Sequence, residues 1–307
     1  MRKAFIDGLV ELAGRDRRVM LLTADLGFMV VEPFATAFPD RFLNVGVAEQ
    51  NMLGLATGLA EAGFIPFCYS IAAFAVLRPY EFIRNGPVAH GLPVRVVGVG
   101  GGFDYGSAGA THHALEDVAL MRALPGMTVL APADAAQTAS ALTATWDLPG
   151  PVYYRLGKGG QPAPGLAGRF ALGRADPVRP GGDLLLLALG GMLPEACAAA
   201  DLLAAQGVQA AVLGVACLQP APEADLRAAI ATAPAVLTLE AHGPVGGLGA
   251  LVAEVMAASG LARPFRRLDV VAQGGLTGSA AWLHRRHGLT APQVAAAALA
   301  LLQGSGR

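Results

Sequence analysis

LNVGVAEQNMLGLATGLAEAG, residues Leu43 to Gly63, is the stretch on which the fold turns. A short apolar run passes Gly46 and enters a segment where Met52, Leu53, Leu55, Ala56, Leu59 and Ala60 recur at helical spacing. Gly63 closes it, as glycine often does just past a helix end. Glu49 falls at the turn between the two. A carboxylate there has an ordinary explanation, because acidic side chains favour the positive end of a helix. A strand running straight into a helix is half of a βα unit, and the flanking sequence repeats the unit.

Upstream, VMLLTADLG (Val19–Gly27) is an unbroken apolar run ending in Asp25 and Gly27. Further strands are predicted at Phe42–Val45, Ile65–Ile71, Val94–Val99, Thr128–Ala131 and Val152–Leu156. Helices are predicted at Phe34–Phe38, Phe74–Asn85, Leu115–Leu124 and Ala135–Trp146, the last capped by Asp134. Apolar strands without alternation, interleaved with helices, imply a parallel sheet covered on both faces. Gly157–Gly182 is rich in glycine and proline and has no sustained period, as an interdomain connection would be. A second alternation follows, with strands at Leu184–Leu189, Ala210–Val215, Ala235–Glu240 and Pro264–Val271. Its helices are Leu193–Gln206, Glu223–Ala233, Gly246–Ser259 and Ala291–Gln303. The expected class is α/β with two domains, residues 1–165 and 183–307 joined by a linker at 166–182, each a mainly parallel sheet with helices on both faces.

Composition narrows the function. Hydrophobic residues make up 54% of the 307 and charged residues 15%, enough apolar surface for large cores and subunit interfaces. Lys and Arg number 22 against 23 Asp and Glu, a balance that argues against nucleic-acid binding. No apolar run approaches the roughly 20 residues that span a bilayer. MRKAFIDGLVELAGRDRRV reads as an amphipathic helix rather than a leader. Cys68, Cys197 and Cys217 are widely spaced in apolar surroundings, which suits reduced core thiols. A cytoplasmic protein without a membrane segment is expected.

In open parallel sheets, ligands bind beyond the carboxyl ends of the strands. Three polar stations fall there: Asp25, Glu49 and the glycine-rich loop Gly100–His113. The loop has no Gly-Lys-Ser/Thr, and GVGGGF does not complete a dinucleotide fingerprint. His112 and His113 are adjacent, which is not metal-ligand spacing on a helix. By themselves they suit capping and hydrogen bonding as well as catalysis.

Together these stations resemble one family. GVAEQNMLGLATGLAEAG, YSIAAFAVLRPYEFIRN and GATHHALEDVALMRALPGMTVLAPAD resemble the pyrimidine-binding domain of transketolases, and LTLEAHGPVGGLGALVAE resembles their C-terminal domain. The resemblance covers nearly the whole chain, whose length and content look like the C-terminal subunit of a split transketolase. It implies thiamine diphosphate as cofactor, with Glu49 hydrogen-bonded to N1′ of the aminopyrimidine. That contact favours the imino tautomer, whose 4′-nitrogen takes the proton from thiazolium C2. Phe74 would stack on the aminopyrimidine. Ile71 and Leu77 would stand where the family carries further pocket aromatics. His112 would contact the ketose oxygens near C1 and C2, with His113 beside it.

There are also departures. A substrate-reading acid of the family is replaced by Ala108, a phosphate-contacting histidine by Gly100, and a basic residue late in the domain is supplied by Arg155 or Lys158. The Gly-Asp-Gly that holds Mg²⁺ and diphosphate in the family is absent; Gly182-Asp183 is followed by Leu184. The resemblance therefore implies no metal ligand in this chain, a separate subunit carrying that segment, and an α2β2 assembly acting on sugars or sugar phosphates. Rival readings are the β subunit of a 2-oxo acid dehydrogenase or decarboxylase, a relation to 1-deoxyxylulose-5-phosphate synthase, and a non-catalytic assembly or regulatory subunit.

Overall fold

A computed structural model describes residues 1–271 and 276–304 of the chain. The first half contributes β1 (Val19–Thr23), β2 (Phe42–Asn44), β3 (Ile65–Ile71), β4 (Arg95–Val99), β5 (Thr128–Leu130) and β6 (Val152–Leu156). The second contributes β7 (Asp176–Arg179), β8 (Leu184–Leu189), β9 (Ala210–Val215), β10 (Cys217–Gln219), β11 (Val236–Leu239) and β12 (Phe265–Leu268). They form a seven-stranded sheet in the order β10-β5-β6-β4-β3-β1-β2 and a five-stranded sheet in the order β12-β11-β8-β9-β7. Every residue of β1, β3, β4, β6 and β8 is buried, so these strands show no polar alternation. Among the described residues no helix is long and apolar enough to cross a membrane.

The chain leaves β1 for β2 at the sheet edge, then returns to the other side of β1 for β3. Strand order reverses there, which opens a crevice at the carboxyl ends. Ile71 on β3 lies opposite Val99 on β4, and Val99 opposite Leu156 on β6. The three ends are therefore level. The helix Ala72–Leu77, the loop from Gly100 to His113 and the turn through Lys158 all emerge from them on one side.

Several expectations are corrected. The helix expected over Phe74–Asn85 is broken into Ala72–Leu77, Tyr80–Ile83 and a wider turn at Arg84–Val88. Pro79 explains the first break, since it has no N–H to continue the ladder. The segment 166–182 is not simply a linker: it contains β7, which pairs antiparallel with β9. Pro177 conceals this strand in the sequence, yet proline is tolerated on an edge strand, where its missing N–H costs no ladder bond. β10 belongs to the second half in sequence but pairs antiparallel with β5 in the first sheet. The helix Leu115–Leu124 is shorter, at Asp117–Arg122, and the strand Pro264–Val271 is confined to Phe265–Leu268. A further helix, Ala280–Arg286, adds to those expected; the Ser279 hydroxyl caps it by accepting the Trp282 N–H.

Candidate active site

Glu49 is the first residue of the helix Glu49–Glu61 and is only 3% exposed. Its Oε2 accepts a hydrogen bond of 2.8 Å from Nη1 of Arg78, and the Ser70 hydroxyl on β3 approaches Oε1 at 3.4 Å. Arg78 follows the short helix Ala72–Leu77 that carries Phe74. Its guanidinium carbon lies 4.3 Å from the centre of the Phe74 ring. One planar cation is thus bonded to the carboxylate and laid on the aromatic face together. Ile71, buried at the end of β3, is the residue from which that helix starts.

His112 completes the cluster. It closes the short turn Ala110–His112, and its ring meets Phe74 edge-on with centroids 4.9 Å apart. Nδ1 lies 3.0 Å from the Thr111 hydroxyl, which leaves Nε2 as the nitrogen not engaged by Thr111. Tyr105 stands next, its ring 6.3 Å from that of His112. Gly100, at the end of β4, explains how Tyr105 fits. Its φ is +79°, and a Cβ there would come within 2.2 Å of Tyr105 Cε2. The ring fills the space that a side chain at position 100 would need.

The remaining candidates fare differently. His113 is buried; its Nε2 is paired with the Gly106 carbonyl at 3.3 Å and its ring meets Phe103 edge-on. That differs from a place beside His112 at the substrate. Arg155 turns toward Asp117. Its Nε donates to Asp117 Oδ2 at 2.8 Å, and its Nη2 donates to the carbonyls of Ala114 and Ala241. This largely buried guanidinium is committed to acceptors from both halves, a structural role. Tyr153 donates to the same Asp117 oxygen at 2.6 Å. Burial pushes the Asp117 carboxyl up, but the Arg155 guanidinium, aided by His242 and Tyr153, holds it below its ordinary value. Lys158 remains available: its ammonium lies 4.2 Å from the Tyr105 ring centre, while its backbone N–H donates to Asp104 Oδ2. Ala108 is exposed on the turn Gly106–Ala108 and carries no acid toward the site.

Sequence reasoning missed Arg78, Tyr105 and Asp117. Each lies inside a quoted motif or loop, but only the fold shows which neighbours they meet. Arg78 also provides a test of fit for thiamine diphosphate. A flat nitrogen-bearing cation already satisfies Glu49 and Phe74 together, so this pair suits an aminopyrimidine, which needs a carboxyl partner at ring nitrogen and an aromatic face. The residues present therefore fit the pyrimidine end of the cofactor.

Residues 1–162 match the family described as transketolase, pyrimidine binding domain, and residues 173–294 match transketolase, C-terminal domain. The chain is 40% identical over 303 residues to the 6-deoxy-6-sulfo-D-fructose transketolase subunit SqwH of Clostridium sp. (strain MSTE9), covering 97% of this chain and 93% of that protein. It is 34% identical to a subunit of the apulose-4-phosphate transketolase of Phocaeicola vulgatus, covering 94% of this chain and 93% of the other. Among solved structures, a split-gene transketolase described as an inactive β4 tetramer superposes with a TM-score of 0.87 at 39% identity, covering 98% and 97% of the two chains. Matched over both halves by these domains and along nearly its full length by subunits of split enzymes, the chain belongs to the transketolase family.

Proposed function

We propose that this chain is the pyrimidine-binding subunit of a two-chain, thiamine-diphosphate-dependent transketolase that moves a two-carbon ketol unit from a ketose to an aldose. A second polypeptide bearing the Gly-Asp-Gly segment would hold Mg²⁺ and the diphosphate. The observation that carries this reading is the pairing of Glu49 and Phe74 on one planar cation. When bound, the cofactor supplies an electron sink for the ketose carbonyl carbon. Glu49 would hold N1′, and Arg78 would then have to release the carboxylate. Phe74 would give the ring a flat apolar face, with Ile71 at the start of the same helix beside it. His112, with Nδ1 engaged by Thr111, presents Nε2 to hold or move a proton at a ketose oxygen. Ala108 and Lys158 lie on the substrate side, where the first leaves room and the second brings charge.

The absence of Gly-Asp-Gly from the sequence supports a separate partner. So does the solved relative, whose β chains assembled alone are described as inactive. Two copies of each chain around a twofold axis would give an α2β2 enzyme with its sites between subunits. The test is Glu49→Gln in the assembled complex, read as H/D exchange at thiazolium C2. Exchange should slow at least about 100-fold while folding and assembly persist. An unchanged rate would remove Glu49 from the chemistry and favour a non-catalytic role.

A further inference from the structure

Glu49 and Phe74 supply what an aminopyrimidine needs, and in this chain by itself one side chain already takes both. Arg78 donates from Nη1 to Glu49 Oε2 at 2.8 Å, and its guanidinium carbon lies 4.3 Å from the Phe74 ring centre. Stacked aromatic rings stand at a similar separation, from about 4.5 Å upward. The arrangement is built locally. Phe74 and Arg78 are four residues apart across the end of the helix Ala72–Leu77, a spacing that puts both side chains on one face. That helix starts where β3 ends, and β3 brings the Ser70 hydroxyl to Glu49 Oε1. Oε2 is therefore the oxygen that Arg78 occupies.

We propose that Arg78 is an internal stand-in for the aminopyrimidine, an autoinhibitory contact that closes the cofactor half-site of the unassembled chain. The proposal rests on the cofactor reading given above and adds a competition to it. A ring and the guanidinium cannot share Oε2 and the Phe74 face, so one must leave before the other enters.

Arg78 is suited to leaving. Its side chain is 46% exposed while that of Glu49 is 2% exposed, so the carboxylate is shielded and half of the cation already stands in water. Among the described residues its guanidinium makes no other hydrogen bond or ion pair. Arg155, with three acceptors around it, is the opposite case. Pro79 comes directly after Arg78 and interrupts the helical ladder, so no continuous helix clamps the arginine from behind.

A site that is open only part of the time binds with an affinity reduced by its open fraction. Thiamine without diphosphate has no second anchor to offset that reduction, and the isolated subunit stays closed to it. Arg78 yields when a ring is presented at high effective concentration, as it would be once a partner anchored the diphosphate end. The contact thus ties occupancy of Glu49 to assembly.

The experiment is calorimetry on the complex of this chain with its diphosphate-binding partner, titrated with thiamine diphosphate and Mg²⁺. Arg78→Met should tighten Kd about 5-fold, the worth of one half-exposed ion pair. A gain in affinity is the diagnostic result, because a damaged fold would bind less. Arg78→Lys keeps the charge but not the flat fork of donors, and it should give a smaller gain. In a Glu49→Gln background Arg78→Met should bring little gain, since the carboxylate that holds the guanidinium is gone. An unchanged or weaker Kd in Arg78→Met overturns the proposal and leaves the cofactor reading standing. A full gain that persists in the Glu49→Gln background overturns it as well. If neither the parent complex nor the variant binds thiamine diphosphate, the cofactor reading itself falls and takes the proposal with it.

Discussion

Two arginine–carboxylate pairs in this protein share an N–O separation of 2.8 Å but differ in nearly everything else. Arg155 and Asp117 are 9% and 1% exposed, share Tyr153, and tie the first half of the chain to Ala241 in the second. Arg78 and Glu49 are 46% and 2% exposed, and the arginine's other contact among the described residues is with the Phe74 ring. If Arg155 leaves, Asp117 keeps the Tyr153 hydroxyl and a more distant His242 but loses its bonded guanidinium; if Asp117 leaves, Arg155 keeps two carbonyls. The outer pair has water at the arginine's side and, on the proposed reading, a cofactor waiting to take the carboxylate. Bond length does not distinguish a structural ion pair from a functional one. Burial of the second partner and the number of additional bonds do.

The sharpest way to break this contrast is to remove each arginine in turn. Arg155→Met leaves Asp117 buried without its cation and should cost about 3–5 kcal/mol in a denaturant titration. Arg78→Met should cost about 1 kcal/mol or less, because a half-exposed guanidinium is replaced by water. Equal losses would mean that both pairs are structural. A second comparison separates function from stability on the outer side of the molecule. His112→Ala should lower ketose turnover in the assembled enzyme roughly 100-fold or more while leaving the unfolding midpoint almost unchanged. A matching drop in both would make His112 a packing residue.

The smallest effect sharpens the inner side through pH. Burial, outweighing the N–H groups of Gly249 and Leu248, pushes Glu240 up to about 7 from 4.5. Burial likewise pushes His242 down to about 4 from 6.5. The folded histidine binds fewer protons than the unfolded one, so its contribution is present above pH 6.5 and is lost as pH falls toward 4. Glu240 has the opposite sign: its contribution is present below 4.5 and is lost as pH rises through 7. His242→Gln should therefore flatten the acid-side decline in stability, by no more than about 1.4 kcal/mol per pH unit. Identical pH profiles for the parent and the variant would show that His242 does not carry this dependence.

Much of the fold is legible in the sequence because buried parallel strands leave a strong mark. The runs at Val19–Thr23, Ile65–Ile71 and Leu184–Leu189 are mostly apolar and buried throughout, and Asp134 signals its helix by capping chemistry, its carboxylate accepting the Gln137 N–H. β7 and β10 are not legible. One holds a proline, and the other continues directly from β9 but bends into a different sheet. At the site, sequence order finds Glu49, Phe74 and His112, which the fold brings into one cluster through Arg78. Arg155 misleads because a basic residue at a strand end looks the same in sequence whether it faces solvent or a buried aspartate. Tyr105 escapes notice because its meaning lies in the emptiness of Gly100 five residues earlier.

The antiparallel strand Cys217–Gln219 limits how this protein can be divided. Cys217 lies opposite Leu130 and Gln219 opposite Val129, so the three-residue strand β5 is bordered by a segment from far along the chain. A fragment ending in the region 166–182 would leave β5 as an open edge, with backbone groups ready to recruit a strand from another copy. A break at the chain's own midpoint therefore exposes a sticky border rather than separating two independent bodies. Swapping either half for a distant homologue's would have to carry the matching border with it.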